Sequence, residues 1–174
     1  MNTQHRHLFR RLGLAWVVLC LCVLQGCGFE LRKPPSYAFK TLFSSIPVVS
    51  PFGIKLKRSL ESSGQVEVIT DPRQIERAEV IFDQLFEFRE KVVVGRTSTG
   101  AIREYQLRFR YRFRLRSRNG IELIPDTEIT LNRDINFNET GALSKESEEA
   151  LLYKDMENDL VQQIQRRLAA VRRI

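Results

Sequence analysis

Residues 103–116 read REYQLRFRYRFRLR. Tyr105, Leu107, Phe109, Tyr111, Phe113 and Leu115 alternate without a break against Gln106, Arg108, Arg110, Arg112, Arg114 and Arg116. That period of two belongs to a strand with one apolar and one charged face, and no helix sorts residues this way. A strand advances about 3.3 Å per residue, so the arginines from Arg108 to Arg116 form a row on the order of 27 Å long. The row must face water, acids on neighbouring strands or an anionic ligand.

The flanking sequence predicts two more strands. In Glu79–Val94, Phe82, Phe86 and Phe88 share one face while Asp83, Glu87 and Arg89 share the other. The polar loop Gly95–Gly100 then turns the chain into the arginine strand. Asn119-Gly120 is a hairpin signal, and Ile129, Leu131, Ile135 and Phe137 alternate after it against Glu128, Thr130, Asn132, Asp134 and Asn136. Upstream, Thr41–Ile46 reads as a strand closed by Pro47. Ser50-Pro51 starts a short helix that buries Phe52, Leu56 and Leu60 and stops at Gly64. Val66–Ile69 is a brief strand ended by an Asp71-Pro72 turn. At the C-terminus Ser144 is expected to cap a helix whose Leu152, Met156, Leu160, Ile164 and Leu168 recur every four residues. The expected class is α+β: a two-layer sandwich in β-α-β-β-β-α order, with a mixed or antiparallel sheet of about four to five strands and both helices on one face. The arginine face is then left open.

Charge narrows the partners. The chain has 28 basic and 21 acidic residues, but Arg6, Arg10 and Arg11 lie in an N-terminal stretch without acids. Without them the excess is modest and concentrated on one strand, which points to a local anion site rather than general polyanion affinity.

That N-terminal stretch predicts export. Leu12–Leu24 is uncharged and apolar; at 1.5 Å per helical residue it reaches roughly 20 Å, too short for a membrane span and suited to a secretory signal. It ends Leu24-Gln25-Gly26-Cys27, which resembles the lipobox of bacterial lipoproteins, in which the cysteine is acylated and becomes the new N-terminus. Residues 1–26 are then a signal peptide, 27–38 a lipidated tether with Pro34 and Pro35, and 39–174 one domain. Two or more acyl chains on Cys27 anchor stably where one does not. Gly28, in the place where aspartate favours inner-membrane retention, implies the outer membrane.

Much chemistry is excluded. His5 and His7 are the only histidines, and both fall in the signal. Cys20 and Cys22 leave with it, so the mature chain has neither a Ser-His-Asp or Cys-His site nor a His/Cys zinc site. Gly95–Gly100 is not a phosphate loop, because no Gly-Lys-Ser/Thr follows it. No carboxylate pair has a setting for hydrolysis. No enzymatic activity and no cofactor are expected.

Two readings of the arginine row remain. Asp83 and Glu87 before it, with Glu128 and Asp134 after it, would pair with it across strands, for little stability. Alternatively the row, with Lys91, Arg96 and Arg103 at its loop end, meets phosphates, for which guanidinium forks are suited. Nucleic acid is not the anion, because aromatic and arginine side chains occupy opposite faces and the chain is exported.

Gly26-Cys27-Gly28-Phe29-x-Leu31-Arg32, Glu104-Tyr105-Gln106-Leu107, Arg133 before Ile135-x-Phe137, and Leu152-x-x-Asp155-Met156 followed by Gln163 and Arg167-Leu168 occur in this order. Together they resemble the LptE family of LPS-assembly lipoproteins. The resemblance implies a two-layer domain lodged in the outer-membrane β-barrel LptD as plug and assembly partner, in contact with lipopolysaccharide. Arg96, Arg103, Arg108, Arg110, Arg112 and Lys145 are the candidate lipopolysaccharide contacts it suggests. A structural scaffold whose arginines pair only with its own acids or a protein partner is the alternative.

Overall fold

The computed structural model describes residues 35–136 and 142–172, with the backbone alone at 142–144. Cys27, the tether up to residue 34 and Phe137 lie outside the described residues. In chain order the elements are β1 (Thr41–Ser44), α1 (Pro51–Glu61), β2 (Glu67–Ile69), a 3-10 helix (Pro72–Arg77), β3 (Val80–Arg96), β4 (Ile102–Ser117), β5 (Glu122–Asn136) and α2 (Ala142–Ala170). The five strands form one mixed sheet in the order β2-β1-β3-β4-β5. β1 runs parallel to β2 and β3, whereas β3, β4 and β5 are antiparallel. The α+β class, the mixed sheet and the two helices on one face are as the sequence predicts.

Local chemistry explains the helix ends. The Ser50 hydroxyl accepts from the Gly53 amide at 3.3 Å, Pro51 opens α1, and Gly64 follows at φ +67°, where a side chain would be strained. Asp71 does more than mark a turn. Its carboxylate accepts the Arg73 amide at 3.0 Å and so caps the 3-10 helix, with Pro72 fixing φ at the first position. That helix covers a small cluster of Phe43, Ile69, Ala78 and Ile81 at the parallel end of the otherwise open sheet face. α2 begins at Ala142, so Ser144 lies within the helix and is not its cap.

The main core lies between the sheet and the two helices. Leu107, Phe109, Tyr111, Phe113 and Leu115 of β4 meet Phe52, Leu56 and Leu60 of α1 and Met156, Leu160, Ile164 and Leu168 of α2, all essentially inaccessible to water. β4 is the spine of this core because it is paired on both sides along its whole length. The Tyr111 hydroxyl is buried without a hydrogen-bond partner among the described residues, and burial raises its pKa far above the ordinary phenol value. An unsatisfied buried hydroxyl is destabilising by about 1–3 kcal/mol. Tyr111→Phe is therefore expected to leave stability unchanged or raise it by about 1 kcal/mol, measurable as an upward shift of the urea midpoint.

One expectation fails in β3. The ladder to β4 shifts register between Gln84 and Phe86, leaving Leu85 as a bulge. Before it, Phe82 pairs with Leu115 and points into the core. After it, Phe86 and Phe88 pair with Arg112 and Arg110 while Glu87 and Arg89 pair with Tyr111 and Phe109. The three phenylalanines thus do not share a face. One inserted residue exchanges the two sides of the strand. Contacts on the helix side account for the exchange: Arg89 bonds Glu157 of α2 at 3.0 Å and lies 4.5 Å from the Phe109 ring, and Lys91 bonds Glu149 at 2.7 Å.

Candidate functional site

The open face of the antiparallel half carries the arginine row, and most of the row is neutralised by the chain's own acids. Arg114 and Arg116 each donate through Nε to Asp83 Oδ2 at 2.8 Å. Arg112 pairs with Asp126, its Nε donating to Oδ1 at 3.2 Å. Arg110 makes a two-pronged contact with Glu128, at 3.0 and 3.3 Å. Arg108 donates to Gln106 at 2.8 Å and lies 3.6 Å from Glu90. The acids are therefore Asp83, Glu90, Asp126 and Glu128. Of the four expected partners, Glu87 is turned to the helix side by the bulge, where it accepts from Arg89 at 2.9 Å. Asp134 is outward but accepts from Gln106 at 2.9 Å. Asp126 joins the set because it stands two residues before Glu128 and so on the same face, diagonal to Arg112.

These contacts fix the carboxylate chemistry. Burial raises the Asp83 pKa, but hydrogen bonds from Arg116 and Arg114 outweigh it and hold the group below the ordinary carboxylate value. Hydrogen bonds from Arg112 and Arg110 likewise lower Asp126 and Glu128. A carboxylate depressed in the folded state stabilises the fold above its unfolded pKa, and that contribution is lost as pH falls through the folded value. Stability should therefore decline as pH drops below about 4. Asp83→Asn should flatten that decline, as read from urea midpoints across an acid pH series.

The hairpin tip differs from the row. Gly100 turns at φ +85°, and Arg96 donates to the Gly100 carbonyl at 2.9 Å and meets no carboxylate among the described residues. The Arg103 side chain makes no ion pair among the described residues. Lys145 bonds Glu148 at 2.7 Å. It lies toward the same end of the sheet as the tip, because Glu157, Tyr153 and Glu149 of α2 contact Arg89, Glu90 and Lys91 of β3 in turn. The sequence-derived candidates thus separate into paired members of the row, Arg108, Arg110 and Arg112, and cations at or near the tip, Arg96, Arg103 and Lys145.

The sequence did not indicate the apolar part of this face. Phe86 and Phe88 stack at 5.9 Å between centroids, remain 37% and 45% exposed, and lie beside the row, with the Arg110 guanidinium 5.7 Å from the Phe86 ring. β1 pairs with β3 only at Val80–Phe82, so among the described residues no strand flanks this part of β3. Only the missing signature of the bulge concealed the pair.

Fold and surface define a small, two-layer α+β domain of the kind found in bacterial lipoproteins. The solution structure of lipoprotein B from Nitrosomonas europaea superimposes with a TM-score of 0.68 at 32% identity, covering 82% of this chain and 91% of that one. Two crystal structures share the fold: a minor lipoprotein from Acinetobacter baumannii (TM-score 0.61, 18% identity, 78% of this chain and 94% of that one) and the rare lipoprotein B from Shewanella oneidensis (0.60, 20%, 75% and 92%). The LptE family model, described as lipopolysaccharide-assembly, matches residues 39–168, and the chain belongs to that family. The LPS-assembly lipoprotein LptE of Yersinia enterocolitica is 28% identical over 176 residues, covering 97% of this chain and 78% of the relative. The protein is thus a lipoprotein of lipopolysaccharide assembly.

Proposed function

We propose that the chain plugs and helps assemble an LptD-like outer-membrane β-barrel and binds lipopolysaccharide during its insertion into the outer leaflet, without enzymatic activity. Residues 1–26 serve as the signal peptide, 27–38 as the tether and acylated Cys27 as the anchor. The observation that carries this reading is the open sheet face, where the Phe86–Phe88 pair adjoins an ion-paired row that ends in a hairpin tip bearing Arg96 and Arg103. Exposed aromatics beside arginine are the residue types that dominate protein interfaces, and a mostly neutralised polar surround suits a protein wall. Guanidinium groups not held by carboxylates suit lipid phosphates.

The alternative, a row that pairs only with its own acids, is favoured for Arg114 and Arg116 by their shared Asp83. Arg108, Arg110 and Arg112 are intermediate. Their pairs are exposed and screened by solvent, so a phosphate exchanges for a carboxylate there at little loss.

The test is to extract the protein from membranes by an affinity tag after Ile174 and to weigh what accompanies it. A stoichiometric large barrel supports the reading. Arg96→Ala with Arg103→Ala should reduce co-purifying lipopolysaccharide while the barrel is retained, and Arg108→Ala, Arg110→Ala and Arg112→Ala should do so less. If no barrel accompanies the unaltered protein, the reading fails.

A further inference from the structure

The second feature of the surface lies at the opposite edge of the sheet. α1 turns Phe52, Leu56 and Leu60 to the core, so Gly53, Ile54, Lys57, Arg58 and Glu61 fall on its outer flank. Between that flank and edge strand β2 runs a groove of about 550 Å³, within the range of small-molecule sites. Its apolar walls are Ile46, Pro47 and Val48 of the β1–α1 loop, Ile54 of α1 and Val68 of β2, and Ser44, Ser62 and Thr70 also line it. Val48 and Ile54 remain exposed. A Cβ at residue 53 would stand 2.7 Å from Ile46 Cγ2, so glycine is what lets the helix approach the loop and shape the groove's end.

The polar groups of the groove decide its occupant. The Val68 amide donates to Glu61 Oε1 at 3.2 Å, and the Val68 carbonyl accepts from Lys57 Nζ at 3.0 Å. Lys57 and Glu61 are themselves 3.6 Å apart. The backbone at this edge is thus occupied, and a peptide cannot add as a further strand. What remains is a mainly apolar channel with three uncharged hydroxyl residues, Ser44, Ser62 and Thr70, and one cation free of carboxylates among the described residues. Arg58 is exposed and has no carboxylate partner among the described residues, and Glu61 is already committed to Lys57 and Val68. Helix positions 53–62 span roughly 14 Å, a length suited to an alkyl chain, and the space admits one chain rather than the several of a bilayer lipid. The geometry points to a fatty-acid site, with the tail along Ile46, Val48 and Ile54 and the carboxylate on Arg58. This site shares no residue with the open sheet face and does not depend on the reading of that face.

The test uses the full acylated chain in phosphatidylcholine nanodiscs. A diazirine-bearing palmitic acid is photo-crosslinked at sub-saturating concentration and the labelled peptides are identified by mass spectrometry. Labelling is expected to concentrate on the segment from Ile46 to Arg58. Arg58→Glu, or use of the methyl ester of the probe, should lower it roughly tenfold, the loss of one charge-assisted contact. Ile54→Glu, at an exposed helix position, should abolish it, with circular dichroism confirming that each variant is folded. Labelling spread over the exposed apolar residues generally, or indifferent to these changes, overturns the assignment.

Discussion

Replacing Phe113 by alanine is expected to lower the folding free energy by about 3–5 kcal/mol. The ring is fully buried, stacks on Phe82 at 5.1 Å and lies 6.3 Å from Tyr111. The cavity cannot close by backbone movement, because β4 is held between β3 and β5. Domains of this size are stable by only about 5–15 kcal/mol, so the variant should accumulate poorly in cells. Trp16 is the only tryptophan and precedes the domain, so the loss is best read by far-UV circular dichroism in urea. Arg112→Ala, which removes only an exposed pair, is the comparison and should leave the urea midpoint nearly unchanged.

The largest functional effect is expected from Phe86→Asp combined with Phe88→Asp. If these rings are the barrel-facing anchors, recovery of the barrel with the tagged protein should fall at least tenfold, since central aromatic anchors contribute about 2 kcal/mol or more each. The fold should survive. Phe86 and Phe88 are opposite Arg112 and Arg110 in the ladder, so the introduced carboxylates meet guanidinium groups. Unchanged barrel recovery from a folded double variant would remove this surface from the interface and leave the assignment to other faces.

What could be read from the sequence depended on the length of each pattern. β4 was legible along its whole length because twelve consecutive residues, 105–116, keep one alternation, and α1 because Ser50, Pro51 and Gly64 mark both of its ends. The α2 core stripe was also legible, but its first turn was not, since Ser144 looks like a cap wherever the helix starts. β3 was misread beyond Gln84, because a bulge adds one residue with no compositional sign and Phe-Glu-Phe-Arg alternates equally well in either phase. That one misreading also placed Glu87 on the wrong side and missed Glu90 as the partner of Arg108. Asp126 was missed for a different reason: the alternating pattern was read only from Glu128 onward, although Asp126, two residues earlier, keeps the same phase. The strand order, which joins β1 to β3 across α1 and β2, has no local signature at all.

That order also has a consequence in time. β3, β4 and β5 are contiguous in the chain and joined by two short hairpins, so their ladders close by zippering between neighbours. β1 sits beside β3 only through the register Leu42–Val80, Phe43–Ile81 and Ser44–Phe82, nearly forty residues apart. A chain that emerges from its N-terminus therefore presents β1 and β2 before their central partner exists, and these two short strands must wait unpaired on one side. Loop-closure entropy makes such non-local pairing the slow step. The parallel edge, and with it the flank of α1, is therefore expected to become native late, which pulse-labelling hydrogen exchange during refolding would show as late protection of the β1 and β2 amides.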